Sequence, residues 1–80
     1  MHYVYLIESV HDRSRHYVGH TNDLKARLNE HNAGKSIHTQ RYKPWNLVCY
    51  HAFAEERKAI AFERYLKSGS GKAFLKRHFL

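Results

Sequence analysis

Two helical stretches of this chain carry ionisable side chains inside their own apolar stripes, and that limits what the chain can fold into. From Thr21 to Ala33 the apolar residues are Leu24 and Leu28. Counted from Leu24, Arg27 falls three places along, Leu28 four and His31 seven, all on the same face. From Glu55 to Lys67 the stripe is Ala59, Phe62 and Leu66, and Glu63 enters it at i+4 from Ala59. A core-facing Arg, His or Glu needs a partner, because an unpaired buried charge costs several kcal/mol or more. One basic pair and one acid, each aimed inward, read as the two halves of a site.

The remaining segments read as a small sheet. Residues 2–8 are β-branched and aromatic, with Tyr3, Tyr5 and Ile7 on one face and Val4 and Leu6 on the other. Ser9 to Arg15 is a polar loop, and His16-Tyr17-Val18-Gly19 reads as a second strand. So short a connection favours an antiparallel pair. Thr21-Asn22-Asp23 supplies caps and a first-turn acid to the Arg27 helix, and Gly34 suits a left-handed stop. Lys35 to Pro44 is a loop rich in donors. Trp45 to Phe53 reads as a third strand, with Leu47, Cys49 and Phe53 on one side and Val48 and Tyr50 on the other. After the Glu63 helix, Ser68-Gly69-Ser70-Gly71 is expected to break the chain, and Lys72 to Leu80 to form a short basic helix packing Phe74, Leu75 and Phe79. The order β-β-α-β-α-α is an α/β arrangement with helices against a small sheet.

Lys and Arg number 14 against 7 Asp and Glu, a formal charge of +7. That balance makes a nucleic-acid partner the first expectation. Residues 1–80 are read as one domain, and a chain of this size buries roughly 60% of its unfolded surface. The one Cys, Cys49, excludes a disulfide framework and a four-Cys zinc site. Eight His invite a zinc reading, but His16 and His20 lie in a strand and its exit, and no H-E-x-x-H occurs. No stretch is long and apolar enough for a membrane span, and no signal peptide is evident, so a cytoplasmic location of bacterial type is expected.

With those residues in view, the chain resembles the GIY-YIG nuclease family in its small stand-alone form, similar to the nuclease domain of the bacterial excision-repair excinuclease. The first signature element stands here as Tyr3-Val4-Tyr5 and the second as Tyr17-Val18-Gly19, followed by His20-Thr21-Asn22-Asp23-Leu24 and Arg27. His31 takes the place where the family has His or Tyr, and Glu63 that of its single metal-binding acid. The first element lacks its Gly, with Tyr3 there instead, and no Asn follows Glu63. The resemblance covers essentially the whole chain and implies a three-stranded antiparallel sheet flanked by helices.

It also implies an activity: divalent-metal-dependent endonuclease cleavage of DNA phosphodiester bonds, structure-selective or weakly specific, in DNA repair or recombination. Tyr5, Tyr17, Arg27, His31 and Glu63 would be catalytic, with Gly19 and His20 as motif positions. Glu63 would hold one Mg²⁺ or Mn²⁺; a single carboxylate suffices when waters and substrate phosphate fill the other positions. Arg27 offers fixed planar donors to phosphate oxygens. Tyr5 or Tyr17 would orient or deprotonate the attacking water, and His31 is suited to accept the tyrosyl proton. Lys35, His38, Arg41 and Lys43 in the loop, with Lys72, Lys76 and Arg77 near the C-terminus, are candidate phosphate contacts for DNA, branched or damaged, without sequence preference. Other readings stay open here. Arg27 and Glu63 could form a structural ion pair within a non-catalytic nucleic-acid-binding module. His31 could be a satisfied core histidine, and the chain an accessory fragment of a larger complex.

Overall fold

A strand that is apolar on both faces belongs in the middle of a sheet, and β1 (His2–Ser9) occupies that place. The computed structural model describes all 80 residues. β1 is flanked by β2 (His16–Thr21) and β3 (Trp45–Phe53), both antiparallel to it. Its four consecutive residues Val4, Tyr5, Leu6 and Ile7 are all buried. Helix α1 (Leu24–Asn32) lies on one face of the sheet. Helices α2 (Glu56–Leu66) and α3 (Gly69–His78) lie on the other. The expected three-stranded α/β architecture is present.

The main apolar core forms beneath α2 and α3. Val4, Leu6 and Val18 from the sheet meet Ala59, Leu66 and Leu75, with Val48, Cys49, Phe53, Phe62 and Phe74 around them. The opposite face carries Tyr3, Tyr5 and Ile7 from β1, and Tyr17 and Gly19 from β2. It is covered by α1 and the loop that follows, in which Gln40–Tyr42 forms one 3₁₀ turn. Asp23 caps α1 by accepting from the Ala26 amide, and Gly34 stops it at φ 77°, a left-handed value that a side chain would strain. Asn32 clamps the start of β3 through both Trp45 backbone groups, accepting from its N–H at 2.6 Å and donating to its carbonyl at 3.2 Å.

Two local expectations are corrected. In β3 the register slips between Leu6 and Ile7, so that Leu6 faces Cys49 while Ile7 faces Leu47. Val48 is the extra residue of that bulge and packs into the core, and Leu47 moves to the Tyr5 face together with Tyr50. The second correction concerns Ser68 to Gly71. The break is two residues, Lys67 and Ser68, and the Ser68 hydroxyl caps α3 by accepting from the Gly71 amide. Gly71 stands inside the first turn because α2 passes so close. A Cβ there would overlap the Tyr65 carbonyl.

Candidate active site

Antiparallel pairing sets Tyr5 opposite Gly19 and Ile7 opposite Tyr17, so the two tyrosines of the signature share a face. Gly19 is what lets them approach. Any Cβ on it would collide with the phenol of Tyr5, whose ring lies across that strand. The ring centroids of Tyr5 and Tyr17 are 6.5 Å apart, and His31 stands edge-on to both, at 5.7 and 5.3 Å.

His31 is fully buried and is the only buried residue of α1. Its two ring nitrogens are both engaged. Tyr5 Oη lies 2.7 Å from Nε2, and Thr39 Oγ1 lies 2.6 Å from Nδ1. Burial, reinforced by the charge of Arg27, holds the His31 pKa below its usual 6.5. A neutral imidazole carries one N–H. Burial also pushes the Tyr5 phenol upward, so Tyr5 keeps its proton and is able to donate a hydrogen bond to Nε2. In that tautomer His31 Nδ1–H donates to Thr39. The Thr39 carbonyl in turn accepts from the Trp45 indole at 2.9 Å. The inward-facing histidine is thus satisfied at both ends by groups from a strand and a loop.

Glu63 and Arg27 approach from different helices. Glu63 Oε1 contacts His20 Nδ1 at 3.2 Å and Oε2 accepts from Lys67 Nζ at 3.1 Å. Arg27 donates to Glu30 at 3.2 Å. Arg27 and Glu63 make no ion pair, which corrects the structural-bridge expectation and removes it as a role for these residues. Nor are they sealed inside. The side chain of Arg27 is 33% exposed and that of Glu63 20%, because each lies at the margin of its helix face. Both still act on Tyr5: burial, the largest effect, raises its pKa, Arg27 opposes that rise and Glu63 adds to it.

Tyr17 is the accessible phenol. It is half-buried where Tyr5 is closed off, and it makes no hydrogen bond within the chain. His38 stacks on it at 6.4 Å, and the Lys67 ammonium sits 5.5 Å from its ring centroid. Lys67 therefore touches both the acid and the phenol. Tyr5, Tyr17, Gly19, His20, Arg27, His31 and Glu63 gather around β2. Among the basic residues, His38 joins them through Tyr17. Lys72 and Lys76 line a neighbouring groove. Lys35, Arg41, Lys43 and Arg77 are exposed and make no hydrogen bond or ion pair with the site, Arg41 packing over Tyr42 instead.

Two participants were not singled out from the sequence. Thr39 is one donor among several in a polar loop, and only its burial at 0% exposure marks it. Lys67 carried one usable signal, its i+4 spacing from Glu63 on the same helix. For a divalent cation the donor set is sparse, with no group of three His, Cys, Asp or Glu gathered together. It suits an ion that keeps most of its waters. Glu63 is a partly exposed carboxylate already holding a cationic group, Lys67, on one oxygen.

The family model described as GIY-YIG catalytic domain matches residues 1–77. The chain is 41% identical over 66 residues to the UPF0213 protein SpyM3_1077 of Streptococcus pyogenes serotype M3, covering 81% of this chain and 70% of that protein. It is 39% identical over the same length to the UPF0213 protein SpyM50708 of S. pyogenes serotype M5. The solution NMR structure of the UPF0213 protein BH0048 from Bacillus halodurans matches with a TM-score of 0.56 and 32% identity, covering 95% of this chain and 82% of that one.

Proposed function

The chain belongs to the GIY-YIG catalytic-domain family, a family of nucleases, and from that premise we propose that it is a divalent-metal-dependent endonuclease hydrolysing DNA phosphodiester bonds. The observation that carries the reading is the position of Lys67, whose ammonium bridges the Glu63 carboxylate and the ring of Tyr17 beside β2. A carboxylate able to hold a cation and a free phenol lie within one side chain's reach of each other.

Tyr17 is assigned to the attacking water. Its hydroxyl has no partner in the chain, so a water can take that place; once the phenol has released its own proton to solvent, the phenolate takes a proton from that water as the water oxygen attacks phosphorus. Tyr5, committed to His31, holds the opposite wall and keeps the Tyr17 ring in place. His31 is held in one tautomer by Thr39 and fixes the direction of the Tyr5 O–H. Arg27 presents its guanidinium to the non-bridging phosphate oxygens, where negative charge builds. Glu63, with His20 steadying its other oxygen, would hold one Mg²⁺ or Mn²⁺. Bound there, such an ion neutralises phosphate charge and stabilises the leaving oxygen. The exposed basic groups Lys35, His38, Arg41, Lys43, Lys72, Lys76 and Arg77 would meet the backbone of the substrate and make binding strongly salt-dependent.

The test is conversion of supercoiled plasmid to the nicked form in Mg²⁺ or Mn²⁺, with EDTA as the control. Nicking that Glu63→Gln loses, while DNA retention persists, supports the reading. Retention without nicking in the parent protein would favour a binding module instead.

A further inference from the structure

We propose that the groove between β2 and α3 receives an unpaired nucleobase beside the scissile phosphate, so that the preferred substrate is DNA with a single-stranded nucleotide at the cut; this rests on the nuclease reading above. The groove has a volume of about 710 Å³, within the ~300–1,000 Å³ usual for small-molecule sites. Its floor is apolar, formed by Val18, Leu66 and Leu75. Its rim is cationic, formed by Lys67, Lys72 and Lys76, and no Asp or Glu lines it.

The occupant follows from that combination. Lysines recognise phosphates wherever the backbone runs, but a leucine and valine floor gains nothing from a phosphate. It gains from the flat face of a base, and in a duplex those faces are stacked away from any protein surface. An apolar floor within reach of three ammonium groups therefore fits one nucleotide whose base has left the stack, with the flanking phosphates held above it. The groove is also continuous with the candidate active site, since Tyr17 and Lys67 line both. A nucleotide lying in it is thus the neighbour of the phosphate presented to Tyr17 and Glu63.

The experiment uses the whole chain in EDTA, where no cleavage occurs, and reads fluorescence anisotropy of two labelled DNA hairpins that differ by one unpaired nucleotide beside the duplex. The parent protein is expected to bind the hairpin with the unpaired nucleotide about tenfold more tightly. Ser14→Trp, which fills the mouth of the groove from the exposed β1–β2 loop, removes that preference and leaves binding of the fully paired hairpin unchanged. Lys76→Glu weakens binding of the unpaired form more than of the paired one. Thermal melting checks that both variants fold. Equal affinity of the parent for the two hairpins overturns the inference, as does a preference that survives both substitutions. A parent that sediments as a dimer, and that Ser14→Trp turns into a monomer, also overturns it, because the groove would then hold a second copy. Plasmid nicking in Mg²⁺ is scored separately. Nicking without a hairpin preference defeats this inference alone, and a preference without nicking defeats the nuclease reading.

Discussion

Tyr5 Oη and His31 Nε2 lie 2.7 Å apart in a closed pocket between sheet and helix, and this contact joins the first signature strand to α1. It explains why a histidine stands in the apolar stripe of a helix whose neighbours Leu24 and Leu28 are only partly buried. The site grows outward from it, through Tyr17 to the exposed Lys67 and the partly exposed Glu63.

Thr39 holds the far nitrogen of that histidine, so Thr39→Val leaves a buried donor without a partner. The expected loss of stability is ~1–3 kcal/mol in urea unfolding. The kcat for nicking should fall while KM changes little, because Thr39 touches no substrate, and Thr39→Ser should restore both. A Thr39→Val protein as stable and active as the parent would remove Thr39 from the site.

The stability profile against pH should have two falling arms. Burial lowers the His31 pKa beneath 6.5, so in the window below that value the unfolded chain takes up a proton that the folded chain does not. Stability is therefore full above about pH 6.5 and declines as pH drops through that window. Tyr5 acts in the opposite sense. Its raised pKa means the unfolded phenol ionises first, and stability declines above about pH 10. Urea midpoints measured across the range check both, and His31→Gln should flatten the acid arm.

Lys67 competes with any cation at Glu63. Its ion pair is partly exposed and worth about 1 kcal/mol at most, so Lys67→Ala should tighten Mn²⁺ binding up to about fivefold. Titration calorimetry on the protein without DNA measures this. Weaker Mn²⁺ binding in the variant would show that Glu63 is not the cation's ligand.

Gly19→Ala places a methyl group where the Tyr5 phenol lies. Overpacking of this kind costs ~1–3 kcal/mol. The displaced phenol should also lose its grip on His31, seen as a change in the imidazole NMR resonances. Unchanged resonances would mean that the ring and the glycine do not constrain each other.

The strand alternation, the helix start at residues 21–23, the stop at Gly34 and the inward histidine were legible in the sequence, because each rests on spacing along one segment, although Asp23 itself is the cap rather than a first-turn acid. What was not legible depends on segments meeting. Parity alone put Leu47 on the side of Cys49 and Phe53, and the bulge at Val48 appears only when β3 is paired with β1. Four small residues read as a helix break, yet Gly71 is helical because α2 leaves no room for a side chain. Arg27 and Glu63 were natural partners by charge, but each found a nearer one on its own helix, Glu30 and Lys67. Tyr17, accessible and without a partner, could be told from Tyr5 only once burial was known.

The most direct measurement is plasmid nicking by the parent protein beside Glu63→Gln, Tyr17→Phe and Tyr5→Phe, all in Mn²⁺ and at equal DNA occupancy. The account predicts nicking by the parent, a loss of at least about a hundredfold in Glu63→Gln and Tyr17→Phe, in the range of a general base's contribution, and a smaller loss in Tyr5→Phe. Full activity in Tyr17→Phe, or cleavage by Glu63→Gln equal to the parent's, would contradict it.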